Sequence, residues 1–393
     1  MSSTPERPLE LVLFGATGFT GGLVAEYLAR IAGLRWAIAG RDRGKLERLR
    51  ARLADLGPAG AEVEIAVADV GDPASLRAMA GRARVVSTTV GPFDRYGEPV
   101  VEACLEAGTH YADITGEPGF VARVIERYDG PACERGLKIV NCCGFDSVPH
   151  DLGALFTVRE LGSDEPIHLE GFVEFRGKLS GGTWHSAVEA VSRPRAELSA
   201  ARRLGPPAKE GRRVRSGERR VRYEKHFGEW VSPMPTIDPK IVLRSARELA
   251  DYGPDFRYGH FLRVGPLWKL AGGASAIGSL FLLAQFPPTR RWLLGLRKPG
   301  EGPSAEEREE GRFSVTFIGR SPSRRAVIEV SGGDPGYGDT AKMAAESALC
   351  LARDPLGERA GVLTPAVAMG EHLVERLRAA GIAFEVVEVS ELK

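Results

Sequence analysis

Residues 9–21 read Leu9-Glu10-Leu11-Val12-Leu13-Phe14-Gly15-Ala16-Thr17-Gly18-Phe19-Thr20-Gly21, and this stretch decides the fold. A short apolar run, Leu9 to Phe14, is followed at once by glycines spaced Gly15-x-x-Gly18-x-x-Gly21. Leu23 to Ile31 then carries apolar residues at helical spacing. Strand, glycine loop and helix in that order form the entrance to a dinucleotide site. Glycines let backbone N–H groups approach a pyrophosphate, and the helix N-terminus turns positive dipole toward it. The chain has 48 glycines, so a triplet alone carries little weight. Its place between strand and helix makes it informative.

Working outward, the same alternation continues to about residue 150. Strands are expected at Trp36–Ala39, Glu64–Ala68, Val85–Val90, Tyr111–Ile114 and Leu137–Cys142. Helices are expected at Lys45–Leu56, Pro73–Ala80 and Val100–Ala107. This order predicts an α/β fold whose N-terminal domain, residues 1–150, is a Rossmann doubly wound parallel sheet. Residues 167–176 alternate apolar and polar, as a half-exposed strand does. Residues 311–318 and 324–330 suggest an antiparallel pair. A second, α+β domain of mixed sheet is therefore expected over 151–334. Glu197–Arg222 reads as a surface segment and Pro299–Gly311 as a polar loop. From Pro335 to 393 the chain returns to helix, at Thr340–Ala352 and Pro365–Ala379.

The end of the second strand bears on the cofactor. NAD sites usually place an acidic residue there to bind the ribose hydroxyls. This strand ends in Ala39-Gly40-Arg41. Gly40 leaves room, Arg41 can pair with a 2′-phosphate, and Lys45 adds charge one turn later. NADP is the expected cofactor, held by Gly15, Thr17, Gly18, Phe19, Thr20, Gly21, Arg41 and Lys45. Asp42 would become the ribose ligand if the strand ended later. Asp69 and Val70 should flank the adenine, and Val90, Gly91 and Pro92 the ribose and nicotinamide.

Bulk numbers exclude other classes. Hydrophobic residues make up 43% of the 393, enough for large cores, and the formal net charge of +1 argues against a nucleic-acid binder. Met1 to Pro8 holds no apolar run, so no secretory signal is expected and the cytoplasm is the expected location. Five cysteines, at 104, 133, 142, 143 and 350, contain no Cys-x-x-Cys pair. That pattern argues against a disulfide framework or a structural zinc site, and no metal is expected.

Two longer stretches carry a family resemblance. One is Thr88-Thr89-Val90-Gly91-Pro92-Phe93 with Tyr96-Gly97-Glu98-Pro99, Gly108-Thr109-His110-Tyr111-Ala112-Asp113 and Thr115-Gly116-Glu117. The other is Cys143-Gly144-Phe145-Asp146-Ser147-Val148-Pro149 with Asp151-Leu152-Gly153. Both resemble the saccharopine dehydrogenase-like oxidoreductases, and among them the trans-acting enoyl reductases of bacterial lipid biosynthesis. Ser180-Gly181-Gly182-Thr183, Gly336-Tyr337-Gly338-Asp339-Thr340 and Leu363-Thr364-Pro365 extend the likeness nearly end to end. The resemblance implies C-terminal helices, 335–393, that pack back on the Rossmann domain. It also implies NADPH-dependent reduction of a lipid-type enoyl thioester, presented by a synthase or carrier protein. His150 and Trp184-His185 depart from the expected pattern near the presumed substrate cleft.

Enoyl reduction delivers hydride to the β-carbon and a proton to the α-carbon. It therefore needs an acid and a group that polarises the thioester carbonyl. The candidates are Tyr96, Tyr111, Asp146, His150 and His185. Tyrosines are also common core residues, and Asp146 could simply cap the helix that follows. Asp113, Thr115 and Glu117 could orient substrate or form a polar turn that caps the next helix. Cys142 and Cys143 read as core. Two other readings stay open: an imine or amino-acid oxidoreductase, with Arg176, Arg193 and Arg195 as carboxylate clamps, and a non-catalytic cofactor-binding protein at membranes.

Leu270–Phe286 holds no charged residue and is flanked by Lys269 and by Arg290-Arg291, with Trp268 and Trp292 beyond. As a helix it is about 25 Å long, short of a bilayer span. It reads as a buried helix, an acyl tunnel wall or a peripheral membrane contact. A homodimer is also left open.

Overall fold

The computed structural model describes residues 7–162, 164–177, 188, 204, 211–234, 236–296 and 304–392. The chain divides into two compact units. One comprises Met1–Thr115, Phe120–Gly144 and Tyr337–Leu377; the other comprises Gly116–Gly119, Phe145–Gly336 and Arg378–Lys393. Strands are numbered along the chain.

The first unit is built on β1 (Leu9–Phe14), β2 (Trp36–Gly40), β3 (Glu64–Val67), β4 (Ala83–Thr88), β5 (His110–Asp113) and β6 (Lys138–Val140), with β14 (Gly361–Leu363) added late. Their spatial order is β14-β6-β5-β4-β1-β2-β3, and every pair is parallel. Parallel sheets are covered on both faces, which is why Leu11, Val12 and Leu13 can all be fully buried. Each such side chain contributes about 1.5–3 kcal/mol by leaving water. The order reverses between β1 and β4, so the carboxyl ends of these strands open a crevice there. The helix Gly338–Arg353 packs against β1, β4 and β5.

The second unit is a mixed sheet. Its strands are β7 (Ile167–Arg176), β8 (Arg213–Ser216), β9 (Arg222–Glu224), β10 (Glu229–Pro233), β11 (Asp255–Gly265), β12 (Arg312–Arg320), β13 (Arg324–Gly332) and β15 (Ala383–Glu391). The order is β15-β13-β12-β7-β11-β10-β9, and β8 also pairs with β11. β7 and β11 are parallel, whereas β12 and β13 form an antiparallel pair. The helix Val148–Leu161 lies on β12 and β13. Its close approach depends on Gly153, where an added Cβ would stand 2.3 Å from Phe317 Cε2. A second helix, Asp238–Glu248, packs on the first and on β11.

Several expectations change. The segment 335–393 does not stay with the first unit. Residues 378–393 belong to the second, where β15 pairs antiparallel with β13. Ala383–Glu391 combines β-branched valine with glutamate, a strand composition rather than a helix one, although 385–389 is exposed on both faces. The helix expected over 365–379 breaks at Gly370, whose φ is +49°. In the described end of the Glu197–Arg222 segment, Arg213–Ser216 stays largely exposed, as expected of a surface segment, but forms β8. The helix that follows β5, left without bounds in the sequence, runs over Pro118–Glu134.

Candidate dinucleotide site and the groups around it

β1 delivers the chain to Gly15 at φ +89°, a backbone conformation that side chains resist. A Cβ at Gly15 would also stand 2.8 Å from Val90 Cγ2 and 2.9 Å from Thr89 Oγ1. The loop is held by Gly15 N–H donating to Ala39 O (2.9 Å), Gly18 N–H to Gly15 O (3.0 Å) and Thr89 Oγ1 to Gly15 O (3.2 Å). Gly21 then passes so close to Gly15 O that a Cβ would lie 2.2 Å from it. The helix Phe19–Leu28 starts at Gly18 with no side-chain cap and no acidic residue in its first turn. Its positive end is thus left for an anion. Thr17 and Gly18 are exposed; Phe19 and Thr20 are half-buried, with the Phe19 ring edge-on to Tyr337.

β2 ends at Gly40, and Arg41 is exposed directly after it. An added Cβ at Gly40 would meet nothing closer than 3.8 Å, so the approach is open. Asp42 follows Arg41 with one carboxylate oxygen already engaged. It caps the helix Arg43–Ala54, its Oδ1 accepting from Lys45 N–H at 2.9 Å. Lys45 is exposed one turn beyond Arg41. Ala68 N–H donates to Gly40 O, which sets Asp69 and Val70 beside the end of β2. Asp69 Oδ1 accepts from Gly71 N–H at 2.8 Å and shapes that turn. Thr89 N–H donates to Phe14 O, bringing Val90, Gly91 and Pro92 beside Gly15. All these residues lie at the carboxyl edge of one parallel sheet, around the β1/β4 crevice. They fit a dinucleotide: glycines where a side chain would collide, an uncapped helix end, and two exposed cations where a 2′-phosphate would sit.

The candidate proton donors separate. Tyr96 is in the first turn of the helix Phe93–Ala107, 37% exposed, at the same edge of the sheet. Tyr111 is fully buried and donates its hydroxyl proton to Asp113 Oδ2 at 2.9 Å. Burial and the Asp113 carboxylate push its pKa well above the usual range. It is a core tyrosine without access to substrate, so that assignment is withdrawn. Asp113 also accepts from Thr115 N–H, Cys142 N–H and Asn141 Nδ2. It clamps the ends of β5 and β6 around Cys142, which sits at φ +65°. Burial pushes Asp113 up to about 6, although those donors pull the other way. Cys142 and Cys143 are buried, and burial pushes the Cys143 thiol up.

Asp146 does not cap the following helix, which begins after Ser147 without a side-chain cap. Asp146 is exposed, and one carboxylate oxygen lies against Gly116, where an added Cβ would stand 2.8 Å from it. Desolvation, with the Asp238 carboxylate adding to it, pushes Asp146 up to about 7. His150 is fully buried, and burial pushes it down to about 4. It is therefore neutral at pH 7, not the near-neutral acid expected. His185 lies outside the described residues, as do Trp184, Arg193, Arg195 and Ser180–Thr183; Arg176 is exposed at the end of β7. Asp238 and His260, which meet His150 inside the second unit, carried no sequence signal because they lie far apart in the chain.

Comparison with known proteins agrees with this geometry. Residues 11–134 match the family described as the saccharopine dehydrogenase NADP-binding domain. A provisionally named trans-acting enoyl reductase of Mycobacterium tuberculosis is 39% identical over 432 residues, covering 99% of this chain and 100% of its own length. The trans-acting enoyl reductase of Mycobacterium ulcerans is 36% identical over 97% of this chain and 98% of its own. Saccharopine dehydrogenase (L-Glu forming) from Saccharomyces cerevisiae shares the fold at a TM-score of 0.53 and 12% identity, over 98% of this chain and 100% of that one. This chain belongs to the trans-acting enoyl reductase branch of the saccharopine dehydrogenase-like oxidoreductases, and its cofactor is NADP.

Proposed function

We propose that this chain reduces the carbon–carbon double bond of a lipid-type enoyl thioester presented by a separate synthase or carrier protein. The observation that carries the reading is the end of β2, where exposed Arg41 and Lys45 replace the acid of an NAD site, beside a cradle that no side chain could enter. The relatives' names support the substrate class. Bound there, NADPH would be the source of the hydride that the β-carbon receives. The glycine loop holds the pyrophosphate, and Arg41 with Lys45 holds the 2′-phosphate. Val90–Pro92 forms the wall beside the ribose. Tyr96 or Asp146 gives the α-carbon its proton, being the accessible acids among the described candidates.

The test is incubation with 4-deuterated NADPH and an enoyl thioester. Deuterium should appear at the β-carbon of a saturated product. Tyr96→Phe or Asp146→Asn should lower kcat by about 10²–10⁴ with the NADPH Kd unchanged. Reduction of imines or keto acids with no action on any enoyl thioester would replace this reading with the amino-acid one.

In the same reading, the lipid contact is the pair of helices Leu267–Gln285 and Pro287–Gly295. No helix of the described residues is long and apolar enough to cross a membrane. Leu280, Leu283 and Leu294 pack on a core of Val188, Ala284 and Leu293. Leu267, Trp268, Leu282, Phe286, Trp292 and Leu296 are more than half exposed. Lys269 and Arg291 are exposed among them, and 267–296 contains no acidic residue. An apolar face with basic flanks suits an anionic lipid surface. Co-pelleting with anionic liposomes should fall when Leu282 and Phe286 become Ser. A parent protein that stays wholly in the supernatant removes this contact.

A further inference from the structure

The second unit gathers three metal-ligating side chains that the proposed reduction does not use. His150 comes from the first turn of the helix Val148–Leu161, Asp238 from the first turn of Asp238–Glu248, and His260 from β11. One ligand atom from each lies within 4.8 Å of the others. All three are buried, at 0%, 1% and 6% exposure. Both ring nitrogens of His150, Nε2 of His260 and Oδ1 of Asp238 have no hydrogen-bond partner.

Leaving a buried polar atom unpaired costs about 1–3 kcal/mol. Four such atoms within one small cluster are hard to account for as packing, because apolar side chains of the same size would fill the space at no such cost. A cation that takes nitrogen and carboxylate lone pairs answers all three side chains together. The geometry is already partly in place. His260 Nε2 lies 3.4 Å from Asp238 Oδ2, close to the ligand–ligand edge of a tetrahedral site with bonds of roughly 2.1 Å. The His150 ring stands edge-on to His260, with centroids 5.0 Å apart.

The partners behind the ligands also fit. Metal-bound histidines and carboxylates are normally oriented by hydrogen bonds on their far side. The Tyr258 hydroxyl lies 2.9 Å from His260 Nδ1, which leaves Nε2 for the ion. The Thr236 hydroxyl donates to Asp238 Oδ2. Two imidazoles and one carboxylate select a late first-row divalent ion over calcium or magnesium, which prefer oxygen. The earlier expectation of no metal came from cysteine spacing and does not reach a histidine–aspartate set.

We propose that His150, Asp238 and His260 bind one divalent transition-metal ion, zinc by preference, with water as fourth ligand. The ion ties the starts of two helices to β11 and neutralises a buried carboxylate. The test uses the full chain, stripped with a chelator and titrated with Zn²⁺ and Co²⁺. Saturable uptake of one ion per chain is expected, with a visible Co²⁺ spectrum of low coordination number and a higher unfolding midpoint for the second unit. Asp238→Asn should weaken Zn²⁺ binding at least about ten-fold. His150→Phe should do the same while remaining folded without metal, because the ring replaces an unpaired imidazole. NADPH binding should be unchanged in both. No saturable uptake by the stripped parent, or Zn²⁺ affinity in both variants equal to the parent's, overturns the site.

Discussion

The two units place chemistry in opposite ways. In the first, the backbone makes the site: Gly15, Gly18, Gly21 and Gly40 matter for what they lack, and a helix end supplies the charge. In the second, side chains from distant segments meet inside the protein, as His150, Asp238 and His260 do. A site made from local backbone is compressed into a short stretch, here Gly15 to Gly40. A site made from packed side chains exists only once the sheet has formed.

Two glycine substitutions test that difference hardest. Gly21 lies in a helix, where alanine would normally gain about 1 kcal/mol. Here the new Cβ would stand 2.2 Å from the Gly15 carbonyl oxygen, so sterics reverse the sign and the cradle must open. Gly21→Ala should weaken NADPH binding by about 100-fold, or roughly 2.7 kcal/mol. Gly153→Ala meets the Phe317 ring at 2.3 Å and Val330 Cγ2 at 2.9 Å. Overpacking of this kind costs about 1–3 kcal/mol, and it should appear as a lower unfolding midpoint with NADPH affinity kept. Isothermal titration and calorimetry on both variants decide it. If Gly153→Ala loses cofactor as badly as Gly21→Ala, the contrast between the units fails.

The same contrast explains what the sequence disclosed. Leu9–Gly21 reads directly because strand period, glycine spacing and helix period follow one another without interruption. Arg41 reads directly because it follows the last residue of β2; the Asp42 alternative needed the structure, which shows its carboxylate capping the next helix. Tyr111 misled because a tyrosine in a strand looks the same whether its hydroxyl meets substrate or Asp113. His150 misled because its titration depends on burial that no local pattern states. β15 was missed because its pairing with β13 is set by a strand 50 or so residues earlier, a separation local periodicity does not sense.

Cofactor choice should respond to a smaller change. Parent protein is expected to bind NADPH at least about ten-fold tighter than NADH, near 1.4 kcal/mol, modest for a guanidinium–phosphate pair. Arg41→Asp should erase or reverse that ratio without moving the unfolding midpoint, since Arg41 is exposed at the strand end. Equal affinity of the parent for both cofactors, measured by fluorescence titration, would remove the 2′-phosphate role from Arg41 and Lys45.

The smallest effect expected lies inside the first unit, where two titrating groups oppose each other. His110 sits at the start of β5, and its Nδ1 accepts from Lys138 N–H at 3.0 Å. Burial, followed by the charges of Lys138, Arg7 and Arg84, pushes it down to about 4. Its folded value lies below the ordinary 6.5, so the unfolded chain binds more protons between pH 6.5 and 4. Its contribution is present above pH 6.5 and is lost as pH falls toward 4. Asp113 has the opposite sign. Its folded value, about 6, lies above the ordinary 3.8, so the folded state takes the proton first and gains stability as pH falls from 6 to 3.8. Between pH 7 and 5 each amounts to about 1–2 kcal/mol with opposite sign, so the two largely cancel. The parent should therefore show a flat profile for this unit, and the variants should split it. His110→Asn keeps an acceptor for Lys138 N–H and should make the unit gain stability at pH 5 relative to pH 7. Asp113→Asn should make it lose stability over the same interval. Urea unfolding at the two pH values compares slopes within each variant, so any constant cost of substitution drops out. Matching slopes in parent and His110→Asn would show that the imidazole titrates alike in the folded and unfolded chain.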